Sequence, residues 1–70
     1  MTDRYVVNLK PQLNGDHEVH RADCTYFPES NYEELGDFFS CSAAVVAAKL
    51  TYPYKKIDGC YYCVNLCHTH

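Results

Sequence analysis

Seventy residues with 47% apolar side chains and a formal net charge of −3 describe a chain that is globular by composition but short of core. A domain of this size buries only about 60% of the surface its unfolded chain exposes. One apolar core then supplies about 3–5 kcal/mol, so a staple is expected: disulfides, a metal or a partner subunit. The composition excludes extensive disorder, no apolar run approaches the ~20 residues of a membrane span, and the balance of charges announces neither a strongly acidic nor a strongly basic partner.

In chain order, residues 4–9 (Arg-Tyr-Val-Val-Asn-Leu) combine β-branched and aromatic side chains and predict a strand that stops at Pro11. Asn14-Gly15-Asp16 is a hairpin turn signal. His17–His20 is then the returning strand, with His20 at its end. From Cys24 to Asp37 the chain reads as loop with a short helical turn near Tyr32–Leu35, and Phe38-Phe39 as a brief buried strand. Ser40 or Ser42 can cap a helix that runs through Ala43-Ala44-Val45-Val46-Ala47-Ala48-Lys49-Leu50 and ends before Pro53. A strand-turn stretch follows, and Asp58-Gly59 turns the chain into Cys60-Tyr61-Tyr62-Cys63. The expected fold is a single α+β domain over residues 1–70, a β-hairpin or three-stranded sheet with one main helix over about residues 41–52, stapled by zinc.

The charges are unevenly spread. Residues 22–48 hold no Lys or Arg but carry Asp23, Glu29, Glu33, Glu34 and Asp37, whereas Lys49, Lys55 and Lys56 form the basic cluster. Nucleic-acid binding leans on phosphate neutralisation, so this distribution disfavours it and leaves a protein as the expected partner.

Five cysteines cannot all pair within the chain. Met1-Thr2-Asp3-Arg4-Tyr5 lacks the charged-then-apolar pattern of a secretion signal. The expected setting is therefore the reducing cytoplasm, where clustered Cys and His read as metal ligands or redox thiols rather than bridges. Zinc takes four N or S ligands in a tetrahedron, which puts sulfurs about 3.8 Å apart. Cys60-x-x-Cys63 suits this, because two intervening residues let the backbone curl both sulfurs toward one ion. A thioredoxin-type redox pair needs a βαβ scaffold that 70 residues do not provide. His20-x-x-x-Cys24 supplies the other half, but only if Arg21-Ala22-Asp23 makes a tight turn, since an extended run would separate the two Cα atoms by about 13 Å. Asp23 or Asp58 could hold the free ring nitrogen of His20, but the expected reading of each is an exposed acid.

His-x3-Cys followed after 35 residues by Cys-x2-Cys is far more specific than either half. The landmarks His20, Cys24, Pro28, Phe38-Phe39, Ser40, Ala43-Ala44 and Cys60-Tyr61-Tyr62-Cys63 resemble the metal-binding domain of the Ada DNA-repair methyltransferases and the wider Ada-like group. The likeness spans roughly residues 17–63 and lies in layout more than identity. It implies the fold and a zinc ion on His20, Cys24, Cys60 and Cys63. The family's first ligand is a Cys that accepts a methyl group from a DNA phosphotriester. His20 stands there in this chain, and the family's DNA-facing basic residues have no counterpart between Cys24 and the helix. The resemblance therefore implies a structural zinc rather than methyl transfer.

Other ligand sets stay open at this level. Cys67 or His68 could replace His20, and Cys41 with Cys67 and His68 could form a second site, while His17 and His70 have no assignment. Cys41 at a helix start is either a reactive thiol or a small buried one. Tyr52, Tyr54, Lys55, Lys56, Tyr61 and Tyr62 form a candidate binding surface, the alternative being aromatic covers over the metal. No nucleophile–base pair, Gly-rich phosphate loop or paired carboxylates indicate a conventional enzyme. The expected function is a non-enzymatic zinc-stapled interaction module. The alternative is a thiol-chemistry protein, an alkyl acceptor or redox sensor, using a zinc thiolate or Cys41.

Overall fold

The computed structural model describes residues 1–25, 27, 28 and 30–68. Strands β1 (Asp3–Asn8), β2 (Asp16–Arg21) and β3 (Tyr32–Phe38) precede helix α1 (Cys41–Thr51). Strand β4 (Lys56–Gly59) and a short 3-10 turn (Asn65–Cys67) follow. The sheet has the order β3-β1-β2-β4. β1 runs antiparallel to both β2 and β3, while β4 lies parallel to β2. The α+β class stands, with one strand more than the expected hairpin or three-stranded sheet.

The first hairpin forms where the sequence places it. Gly15 takes a positive φ of 90°, a conformation glycine adopts without steric cost. Asn14 Oδ1 accepts from the Asp16 amide at 3.0 Å, an Asx turn. Along β1, successive side chains face opposite sides of the sheet. Tyr5 and Val7 join Val19, Ile57, Ala44 and Ala48 in the core. Val6, fully buried on the other face, lies opposite His20. The alanines let α1 sit close on the sheet, and each fully buried valine contributes about 1.5–3 kcal/mol.

Helix α1 starts at its predicted cap: Ser40 Oγ accepts from the Ala43 amide at 3.2 Å. It ends where Tyr52 N donates to Ala48 O, one residue before Pro53. Three expectations are corrected. Tyr32–Leu35 is strand, not a helical turn, because β3 pairs along the whole of β1. The pairing steps from Tyr5↔Gly36 to Val6↔Glu34 and leaves Leu35 as the extra residue of a bulge, with Gly36 at φ 108°. Phe38 closes β3 against Tyr5 with ring centroids 6.2 Å apart, but Phe39 is 82% exposed and is not a buried strand residue. Asp58-Gly59 is likewise not a turn but the end of β4, paired with Glu18 and Val19.

Candidate metal centre

Four side chains converge at one end of the β2–β4 pair. His20 is the penultimate residue of β2, on the face opposite Val19. Beyond Arg21 the chain turns at once: the Cys24 amide donates to Arg21 O at 3.0 Å, and Arg21 Nε donates to Asp23 Oδ1 at 2.8 Å. This is the tight turn that the His20–Cys24 spacing requires. Cys60 follows β4 directly, its amide donating to Val19 O at 2.9 Å, so the parallel ladder itself sets the height of the second pair. Val64 N then donates to Cys60 O at 2.9 Å, curling Cys60 and Cys63 toward the same point.

The ligand-type atoms of His20, Cys24, Cys60 and Cys63 all lie within 4.8 Å of one another. Cys24 Sγ is 3.7 Å from His20 Nδ1 and 4.0 Å from Cys60 Sγ, and Cys63 Sγ is 3.9 Å from His20 Nδ1. A tetrahedron with metal–sulfur bonds near 2.3 Å and a metal–nitrogen bond near 2.0 Å has edges of about 3.8 and 3.6 Å. Those three separations lie within a few tenths of an ångström of these edges and the whole set within 4.8 Å, so the cluster can hold a metal ion. His20, Cys24 and Cys60 are buried, whereas Cys63 is partly exposed. Cys63 lines a cavity with Arg21, Asp23, Cys24, Thr25 and Tyr62 on one side and another with Tyr5, Cys41 and Cys67 on the other.

Burial shifts the titration of His20, Cys60 and Cys63. It lowers the His20 pKa, which keeps the ring neutral and able to ligate. It raises the Cys60 thiol, against a partial offset from the Cys63 and Tyr62 backbone N–H groups that point at its sulfur. It raises Cys63 as well, although the Arg21 amide donates to that sulfur at 3.5 Å. A divalent cation reverses this balance by compensating the charge of the thiolates it binds.

The carboxylate at the back of His20 is Glu18, whose Oε1 lies 3.5 Å from Nε2. Asp23 is the exposed acid expected of it and is ion-paired with Arg21. Asp58 is buried rather than exposed, and its Oδ2 lies 3.2 Å from His68 Nδ1. Glu18 has a simple sequence signature: it stands two residues before His20 in a strand and so shares its face.

The remaining residues are distributed elsewhere. Cys41 and Cys67 form a disulfide with their Cα atoms 6.2 Å apart. This corrects the expectation that no cysteine here is bridged, and it removes Cys41 as a free reactive thiol. The bond forms because the 3-10 turn packs against the first residue of α1. His68 donates from Nδ1 to Gly59 O at 2.9 Å. Cys67 and His68 are thus engaged away from the three free sulfurs, and His20 is the ring that faces those sulfurs. His17 is buried with Nδ1 3.1 Å from Asn8 O, and His70 lies outside the described residues.

The tyrosines and lysines divide between two places. Tyr52, Lys55 and Lys56, joined by Lys49, line a cavity of about 690 Å³, with Lys55 Nζ 5.9 Å from the Tyr52 ring centroid. Tyr54 is fully exposed. Tyr61 and Tyr62 pack edge to face at 5.2 Å, with Tyr62 beside Cys24 and Cys63.

Among the described residues, no helix is long and apolar enough to cross a membrane. No protein-family model, curated protein or solved structure matches the chain.

Proposed function

We propose that the chain holds one structural zinc ion on His20, Cys24, Cys60 and Cys63, and that it serves as a small non-enzymatic interaction module in the cytoplasm. The observation that carries this reading is the cluster itself: one imidazole nitrogen and three sulfurs within 4.8 Å of one another, three of the four residues buried. Three thiolates with one imidazole favour zinc over hard cations, which take oxygen ligands. Four protein ligands leave no coordination position for water, the mark of a structural rather than a catalytic zinc.

The order of parts supports an Ada-like domain: a first ligand at a strand end, a turn to Cys24, a strand closed by Phe38, the Ser40-capped helix, then Cys60-x-x-Cys63. Histidine at the first position removes the thiolate that accepts methyl groups in that family, so methyl transfer is not part of the proposal. The partner we propose is a protein, contacted through the tyrosine- and lysine-bearing surfaces. The acidic β3, with Glu33, Glu34 and Asp37, supports a protein over a nucleic acid.

A second reading rests on Cys63, the partly exposed sulfur of the cluster, which two cavities reach. As a metal thiolate it would accept an alkyl group or register oxidation. Native mass spectrometry of the full chain before and after chelation, with circular dichroism alongside, tests the first reading. The expected result is one zinc per chain and a partial loss of structure and of stability on its removal, since metal-binding energy in such domains contributes to folding energy. A chain that binds no metal and keeps its fold in chelator would end that reading. Fast, selective alkylation of Cys63 in the zinc-loaded protein would favour the second.

A further inference from the structure

The Cys41–Cys67 disulfide fastens the segment that delivers half of the metal centre. Residues 60–67 leave the end of β4, carry Cys60 and Cys63, bury Val64, and return through the 3-10 turn to Cys67. There the disulfide ties them to the first residue of α1. At its origin the segment is seated on Gly59, where a Cβ would come within 2.8 Å of Val64 O and 3.0 Å of the Cys67 carbonyl. Further holds are His68, which donates to Gly59 O and faces Asp58, the Cys60 amide on Val19 O and the Arg21 amide on Cys63 Sγ. Both bridged cysteines are partly exposed. They line, together with Cys63, one cavity of about 390 Å³. One thiol of the metal cluster, Cys63, and the disulfide therefore line the same cavity.

We infer that Cys41–Cys67 is a redox modification site for a dithiol reductant, and that its state sets how tightly the neighbouring centre keeps its metal. The inference rests on the metal-binding reading given above. The reductant's thiolate attacks Cys67 Sγ, the Cys41–Cys67 bond breaks, and Cys41 leaves as a thiolate at the N-terminus of α1, where backbone N–H groups favour it. The second thiol of the reductant then displaces Cys67. Two electrons and two protons pass to the protein, giving two thiols, and the reductant departs as a disulfide.

Once opened, the 60–67 segment loses its covalent tie to α1, and Cys60 and Cys63 keep only the Cys60 N–Val19 O and Arg21 N–Cys63 Sγ hydrogen bonds, the burial of Val64 and the metal to order them. The bridged residues are 26 apart in sequence, and the ordering supplied by a loop of that length corresponds to a weakening of metal affinity of about 10- to 100-fold. Coupling between two equilibria is reciprocal, so the metal protects the disulfide from reduction by the same factor.

The test is a Zn²⁺ competition titration of the full chain against a chromophoric chelator, in three states. These are the oxidised protein, the protein reduced with a phosphine that is then removed, and the reduced protein after re-oxidation. Alkylation mass counts verify three free thiols in the oxidised metal-free chain and five after reduction. The expected result is a zinc Kd raised about 10- to 100-fold on reduction and restored by re-oxidation, with Cys41→Ser/Cys67→Ser reproducing the reduced value. Equal affinity in both states overturns the coupling while leaving the metal centre standing. No zinc binding in either state overturns the metal reading and this inference with it. Global loss of secondary structure on reduction overturns the switch, because the bridge would then be a fastening of the whole fold; the wild-type measurements decide this even if the double variant does not fold.

Discussion

Among individual residues, Glu18 separates a metal centre from a chance gathering of thiols. Its Oε1 lies 3.5 Å from His20 Nε2 while Nδ1 faces the sulfurs of Cys24 and Cys63. That is the arrangement by which a carboxylate fixes the tautomer and orientation of a ligating histidine. Burial raises the Glu18 pKa, and the proton on Nε2 gives the carboxylate a hydrogen-bond donor to face. Glu18→Ala is expected to weaken zinc binding about 10-fold or more, read by chelator competition. Gln12→Ala serves as the control, since Gln12 Nε2 donates to Glu18 Oε1 at 2.9 Å but does not reach the cluster. If zinc affinity is the same in Glu18→Ala as in the parent, Glu18 has no role in positioning His20.

At the scale of elements, local chemistry predicted what local chemistry determines. The Asn14-Gly15 turn, the Ser40 cap and the stop at Pro53 are each fixed by a few neighbouring residues, and all three were readable from sequence. β3 was not, because Tyr-Glu-Glu-Leu carries no strand preference of its own and becomes strand by pairing with β1, some thirty residues away. Gly59 misled for a related reason. Asp-Gly is a common turn pair, but this glycine lies in a strand where another stretch of backbone comes close. Gly59→Ala would set a methyl 2.8 Å from Val64 O, displacing the segment that carries Cys60 and Cys63. It is expected to cost about 1–3 kcal/mol of stability, measured by urea denaturation, and to lower zinc affinity as well. The gathering of His20, Cys24, Cys60 and Cys63 was legible from spacing. The Cys41–Cys67 pairing was not, since five cysteines with no register between helix and C-terminal segment leave every partner open.

For the molecule as a whole, the response of stability to pH reports whether the centre is filled. In the metal-free protein, burial lowers the His20 pKa and raises those of Cys60 and Cys63. A depressed histidine binds fewer protons in the native state than in the unfolded one, so its contribution falls as pH drops below the ordinary value near 6.5. A raised thiol does the reverse: the native state holds a proton that the unfolded chain releases above about 8.5, so stability declines as pH rises beyond that point. The metal-free protein should therefore be most stable between these limits and weaken on both sides. Zinc alters the alkaline limb, because the ligating sulfurs have already given up their protons and hydroxide has none left to remove. The acid limb steepens instead, as protons compete with the ion for His20 and the thiolates. Thermal unfolding of the metal-free and zinc-loaded forms from pH 5 to 10 (about the range over which His and Cys titrate) should show curves that diverge above pH ~8.5. Parallel curves through that region would mean that zinc is not bound by these sulfurs.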